Sequence, residues 1–354
     1  MNKTVMLCLM VCFLILGGCS QASPASKSGS APQKTNEAKA GETAAAPKPE
    51  QPKSDYPNKP IEIIVPFAAG GATDLIGRIL KDALAKALPN NPTIVIVNKP
   101  GAGGIIAATE LLNAKPDGYK LGLFTHGIIA LQPHQGKANY TYDSFQPIGN
   151  VTSTQQVLFV RSDAPWKTFE EWLDYVKKNP GKFTYGVTAG IGSLAHIPMV
   201  MLDDQAKIQT KVVSFDGTPP AIAAVLGGHV DAAVGQPNDV KSQVEAGSMR
   251  ILFNVGATPV PFDTKIPLLK DKGYKIALDS STCLVAQKGL PKDVSDMLQN
   301  ALKKAIDDPK FKEELKKINL EPQYKTAEEL KRELAAENDV FKDAVQLLKT
   351  TTSK

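Results

Sequence analysis

Cysteine is scarce in this chain of 354 residues: there are four, and Cys8, Cys12 and Cys19 all fall near the start. Only Cys283 is left for a folded part, so neither a disulfide framework nor a cysteine metal cluster is available. Its setting, "STCLVAQ", predicts a small core residue. Histidine is as rare, and His126, His134, His196 and His229 keep no H-E-x-x-H or related spacing, so neither a metal nor another cofactor is expected. The glycine loops lack the lysine of a phosphate-transfer loop, and Ser193 in "GIGSLAH" lacks the G-x-S-x-G elbow of a hydrolase. No catalytic residues are expected. The net charge of +5 is spread over mixed-sign helical segments without a basic, aromatic-laced stripe, which argues against nucleic acid as a partner. After the first 16 residues no apolar run approaches the roughly 20 residues that span a bilayer.

What is present begins with "MNKTVMLCLMVCFLILGGC": Lys3, an apolar run over 5–16, then small residues before Cys19. That pattern predicts a secretory signal. Its end, "LGGC", resembles a bacterial lipobox, which implies cleavage before Cys19 and lipid on that cysteine. Residues 20–55 are rich in Ser, Ala, Pro, Lys and Glu and carry no large apolar side chain. Such a segment buries no core and predicts a flexible tether between lipid and folded domain.

The remaining residues, about 300, fit two domains of ordinary size. Apolar strand patterns at 61–67, 93–97 and 120–124, the first two rich in Ile and Val, alternate with helical patterns at 74–88 and 104–112, which is the logic of βαβ units and a mainly parallel sheet. Thr73 or Asp74 suits the first helix as N-cap. The pattern restarts with strands near 156–160, 183–187, 211–215 and 230–234, separated by helices, and returns through a strand at 281–286 to charged helices over 293–307, 309–318 and 327–348. The expectation is therefore a first lobe of 56–155 plus 258–354 and a second of 156–257. Trp166, Trp172 and Tyr175 repeat at helical spacing and predict core packing.

One loop carries chemistry. "IEIIVPFAAGGATDLIGRIL" runs from strand through a glycine pair into helix, leaving free N–H groups at a helix start that a ligand can approach, and that arrangement favours an anion. A plain strand-to-helix turn is the alternative. In "NKPGAGGIIAATELL" the third glycine of a dinucleotide fingerprint is replaced by Ile106, so a closely packed glycine turn is the better reading.

Taken together, "YPNKPIEIIVPFAAGGATD", "VNKPGAGG", "AKPDGYKL", "NPGKFTYGVTAGIGSLAH" and "AVLGGHVDAAV" resemble the receptors of tripartite tricarboxylate transporters, the Bug family. The resemblance implies an α/β fold of the periplasmic type II class, two lobes around a cleft, capturing a small carboxylate for a permease of one large and one small membrane subunit. It implies ligand contacts from Phe67, Ala68, Ala69, Gly70 and Gly71, with Thr73 and Asp74 shaping the helix start. Thr125 and His126 would line the cleft, and Gly190, Ser193 and His196 would face it from the second lobe, the last two as side-chain donors. Two positions depart from the family pattern: Leu194 and Ala195 replace hydroxyl residues, and Asp216 stands where lysine is common. An anion there disfavours a second ligand carboxylate and leaves a monocarboxylate or amino acid favoured over citrate-like acids. Alternatively, Asp216 caps the next helix. A ligand sensor for a membrane kinase, or an enzyme on the same frame, are the competing functions.

Overall fold

Residues 55–188 and 190–352 are described by a computed structural model. The expected signal, Cys19 and nearly all of the tether lie outside them. Among the described residues no helix is long and apolar enough to cross a membrane.

The first sheet opens with β1 (Ile61–Val65), α1 (Ala72–Ala87), β2 (Ile94–Asn98), α2 (Ile105–Leu112), β3 (Lys120–Thr125) and β4 (Phe145–Thr154). A second set follows: β5 (Val157–Arg161), α3 (Phe169–Lys178), β6 (Thr184–Thr188), α4 (Ile197–Ala206), β7 (Lys211–Phe215), α5 (Thr218–Leu226), β8 (Ala232–Gly235), α6 (Pro237–Glu245) and β9 (Met249–Asn254). The chain then adds β10 (Ser280–Gln287), α7 (Lys292–Asp307), α8 (Pro309–Lys317), β11 (Pro322–Thr326) and α9 (Ala327–Thr352). Strand order is β11-β4-β10-β3-β1-β2 in one sheet and β7-β6-β8-β5-β9 in the other.

The sheets are mixed, which corrects the expectation of mainly parallel ones. β1 pairs in parallel with β2 and β3, and β6 with β7 and β8, whereas β10, β11 and β5 make antiparallel pairs. The cause is connectivity. β5 and β10 are reached directly from the other sheet, not through a covering helix, so they enter against the local βαβ direction.

Each sheet is covered by amphipathic helices. α1 buries Ile76, Leu80, Ala83 and Leu84 against the first sheet. Full burial of a Leu or Ile is worth roughly 2 kcal/mol each. In the second sheet's core Trp172 is fully buried beside Phe169, Phe183 and Phe253, as expected, while Trp166 packs there from the chain ahead of α3, not from the helix, against the half-buried Tyr175. α9 packs on β4, on the helical turn at 127–131 and on α4, so one helix braces elements of both sheets.

Candidate functional site

The loop after β1 is set by its two glycines and by Asp74. Gly70 holds φ +84, a left-handed value that disfavours any side chain. Gly71, not Thr73 or Asp74, is the N-cap of α1 and makes no side-chain cap bond. The helix therefore begins two residues before the expected position, and its first amides, at Ala72, Thr73 and Asp74, have no acceptor inside the helix.

Asp74 is in the third helical position and only 1% exposed. Its Oδ2 accepts from the Gly70 amide at 2.8 Å and Arg78 Nε at 2.9 Å, and its Oδ1 accepts from Asn98 Nδ2 at 3.0 Å. The same Asn98 amide donates to the Phe67 carbonyl at 3.0 Å. Burial pushes the Asp74 carboxyl up, but the bonds from Arg78, Gly70 and Asn98 outweigh it and hold the pKa below the usual range. Asp74 is thus an ionised clasp for the loop, with its oxygens turned inward. Thr73 is buried as well. Phe67, Ala68, Ala69, Gly70 and Gly71 face solvent.

The second glycine loop, 99–104, lies alongside. The Lys99 amide donates to the Val65 carbonyl at 2.8 Å. A Cβ on Gly104 would meet Pro66 at 3.3 Å and press into Ile128, and one on Gly103 would meet Gln132 Nε2 at 2.6 Å. This is a close-packed turn, as its imperfect fingerprint suggested.

In the second sheet the parallel trio β7-β6-β8 repeats the arrangement β2-β1-β3, and the loop after β6 repeats the clasp. The Gly192 amide donates to His196 Nδ1 at 2.9 Å, four residues on, as Gly70 donates to Asp74. His196 is 3% exposed and burial lowers its pKa to about 4, so the ring is neutral with Nδ1 as acceptor. Ser193 Oγ donates to the Thr188 carbonyl at 2.9 Å. The expectation that Ser193 presents a donor to a ligand is therefore corrected, because its hydroxyl proton closes the loop on itself; His196 spends Nδ1 on the loop and keeps Nε2–H as its donor. Gly190 stays half-buried and Ile191 is 58% exposed.

His126 is also corrected. It is fully buried, with Nδ1 at 2.9 Å from Glu337 Oε2, and does not line a cleft. Thr125, the last residue of β3, is half-buried opposite Thr282. Asp216 is exposed, and α5 is capped by Gly217 without a side-chain bond, so Asp216 is not a helix cap. The loops of the two sheets meet beside the site, where Leu194 packs on Gly127 and Gln135 Nε2 donates to the Gly192 carbonyl at 2.8 Å. Asn98, Arg78 and Gln135 escaped the sequence reading. Asn98 alone left a signal, closing a strand just before a glycine loop.

A family model described as "Tripartite tricarboxylate transporter family receptor" matches residues 76–349. The chain belongs to this family. The receptor is 33% identical over 283 residues to a "UPF0065 protein in gbd 5'region" of Cupriavidus necator, covering 79% of this chain and 85% of that one. A ligand-free TctC solute binding protein from Polaromonas superposes with a TM-score of 0.75 at 30% identity, covering 82% of the receptor and 99% of that chain. MatC from Rhodopseudomonas palustris, solved with bound malate, superposes with a TM-score of 0.67 at 26% identity, covering 82% and 100%. The receptor shares their periplasmic binding protein fold.

Proposed function

We propose that this receptor captures a small carboxylate outside the cytoplasm, between lobes spanning 56–155 plus 258–354 and 156–257, and delivers it to the large and small membrane subunits of a tripartite permease. The observation that carries the reading is the loop at 67–71, which presents exposed backbone at the start of α1 while Asp74 holds it from beneath. Free amides and the positive helix end favour an anion there. The malate bound to MatC supports a carboxylate. Thr125 and Gly190 complete the surround, and no catalytic group is assigned.

Asp216, exposed and free of a capping role, faces the far end of the ligand in this reading and disfavours a second carboxylate. Two like charges about 4 Å apart repel by roughly 1 kcal/mol in water and about 4 kcal/mol at an effective dielectric of 20. The test is calorimetry with malate, monocarboxylates and amino acids at fixed salt, on the natural protein and on Asp216→Lys. Asp216→Lys should shift preference towards malate by about tenfold or more, the equivalent of about 1.4 kcal/mol. An unchanged ratio removes Asp216 from the site, and an ester binding as well as its acid rejects the anion reading.

The same proposal places the receptor on the outer face of the membrane through lipid on Cys19, since acyl chains hold what a lone tether cannot. Cys19→Ala should release the protein from washed membranes. A variant that still sediments wholly with them defeats the anchor.

A further inference from the structure

The site just described leaves His126 without a task. The ring is fully buried where β3 ends. Its Nδ1 meets Glu337 at 2.9 Å, while Nε2 is buried with no hydrogen-bond partner among the described residues. Glu333 and Glu337 lie four residues apart on α9, so both carboxylates fall on one helix face. One ligand atom from each of His126, Glu333 and Glu337 can be chosen so that all three lie within 4.8 Å of one another. The Cys283 thiol lies against the same ring.

Charge points the same way. Glu333, Glu337 and the buried Asp279 form an acidic neighbourhood in which Lys325 is the nearby ammonium, bonded to both Glu333 oxygens at 2.6 Å. Lys325 and the His126 ring, as an imidazolium beside Glu337, offset two of the three carboxylates and leave one in excess.

The geometry points to a divalent transition-metal site of the zinc class, with His126, Glu333 and Glu337 as ligands. Imidazole with two carboxylates is a donor set such ions accept. Metal–ligand bonds of about 2.1 Å put neighbouring tetrahedral ligand atoms about 3.4 Å apart, so the three groups, already within 4.8 Å, converge once Glu333 gives up one of its two bonds to Lys325. A bound ion would take the place of the Nδ1–H···Glu337 hydrogen bond, with Nδ1 and the carboxylate both turning to the metal and the ring proton held on Nε2, which has no other partner and lies near the weakly accepting Cys283 sulfur. Of the two carboxylates Glu333 is the more open to solvent, its side chain 26% exposed against 11% for Glu337. The sequence hid this site because His126 and the two glutamates are some 200 residues apart and meet only through α9. A bound ion would tie α9, the brace between the two sheets, to the end of β3.

The test uses the full chain, stripped with chelator and titrated with zinc sulfate alone, with metal counted by mass spectrometry after desalting. One equivalent per chain is expected, with a melting temperature raised by about 5 °C at a hundredfold excess over Kd. Glu333→Gln, which alters a half-exposed side chain and should fold, is expected to weaken binding by about tenfold to a hundredfold. Glu337→Gln should do the same. Failure of the stripped protein to bind, or undiminished affinity in both variants, overturns the site and leaves His126–Glu337 and Lys325–Glu333 as ion pairs alone.

Discussion

His196 at the cap of α4 and Asp203 within it both line a cavity of about 500 Å³ together with Tyr185, and burial moves their pKa values in opposite directions along the pH axis. Burial lowers His196 from 6.5 to about 4 and raises Asp203 from 3.8 to about 6, despite the bonds Thr210 makes to Asp203. The signs oppose each other. Between pH 6.5 and 4 the unfolded histidine takes a proton that the native one refuses, so stability falls as pH falls. Between pH 6 and 3.8 the native aspartate holds a proton that the unfolded one lacks, so stability rises as pH falls. Each slope is about 1.4 kcal/mol per pH unit, and from pH 6 to 4 they nearly cancel. Asp203→Asn removes one of them. Relative to the natural protein, its urea-unfolding free energy should fall by about 2 to 3 kcal/mol more between pH 6 and 4, and His196→Gln should show the opposite difference. Curves for Asp203→Asn that parallel the natural protein reject the compensation.

At the scale of elements, the loops after β1 and β6 show one device with different chemistry: a glycine amide caught by a side chain four residues ahead, from Asp74 in one case and His196 in the other. Residue types revealed which loops have exposed backbone, because glycine next to a strand end is a local signal. They did not reveal which side chains turn inward. Asp74, Ser193 and His196 are all polar, and only the packed loop decides that the Asp74 carboxylate, the Ser193 hydroxyl proton and His196 Nδ1 serve it. Strands β1 and β7 were legible from apolar β-branched runs and β3 from its Leu and Phe, α1 from its apolar stripe, and α7 and α8 as charged helical runs. α6 was missed because Pro237 opens it under a capping box of Gln236 and Asp239 that reads locally as a turn. β11, "PQYKT", is a polar edge strand and carries no apolar signature. Strand direction was misjudged for a different reason. It depends on where the chain crosses between sheets, and no local pattern records that.

At the scale of the molecule, the crossings themselves are polar. Gln155 Nε2 donates to Thr258 Oγ1 at 2.6 Å, the Gly256 amide to Asn254 Oδ1 at 2.7 Å, and the Ala257 amide to Asp279 Oδ1 at 2.8 Å. A side chain at Gly256 would strike Asp279 and Asn254, so the crossing closes tightly around that glycine. Away from the crossings, elements of the two sheets meet at Leu194 on Gly127, Gln135 on the Gly192 carbonyl, Asn238 on the Asn319 carbonyl, and where α9 packs on α4 and Ile197 joins the buried cluster of Phe341, Ala344 and Val345. Hydrogen bonds of this kind contribute about 1 kcal/mol each and water can replace them, so the α9–α4 packing is the main resistance to rotation about the crossings. A carboxylate bound to the loop at 67–71 and touched by the loop after β6 supplies differential affinity for the closed form, which alone makes a ligand shift such an equilibrium. Saturation with a ligand identified by calorimetry should therefore reduce the radius of gyration in small-angle scattering. Gly256→Ala should leave the contacts at 67–71 intact yet blunt both the compaction and the affinity. Tight binding with an unchanged radius, in a variant as in the natural protein, would show that the loops alone hold the ligand and that the crossings do not act as a hinge.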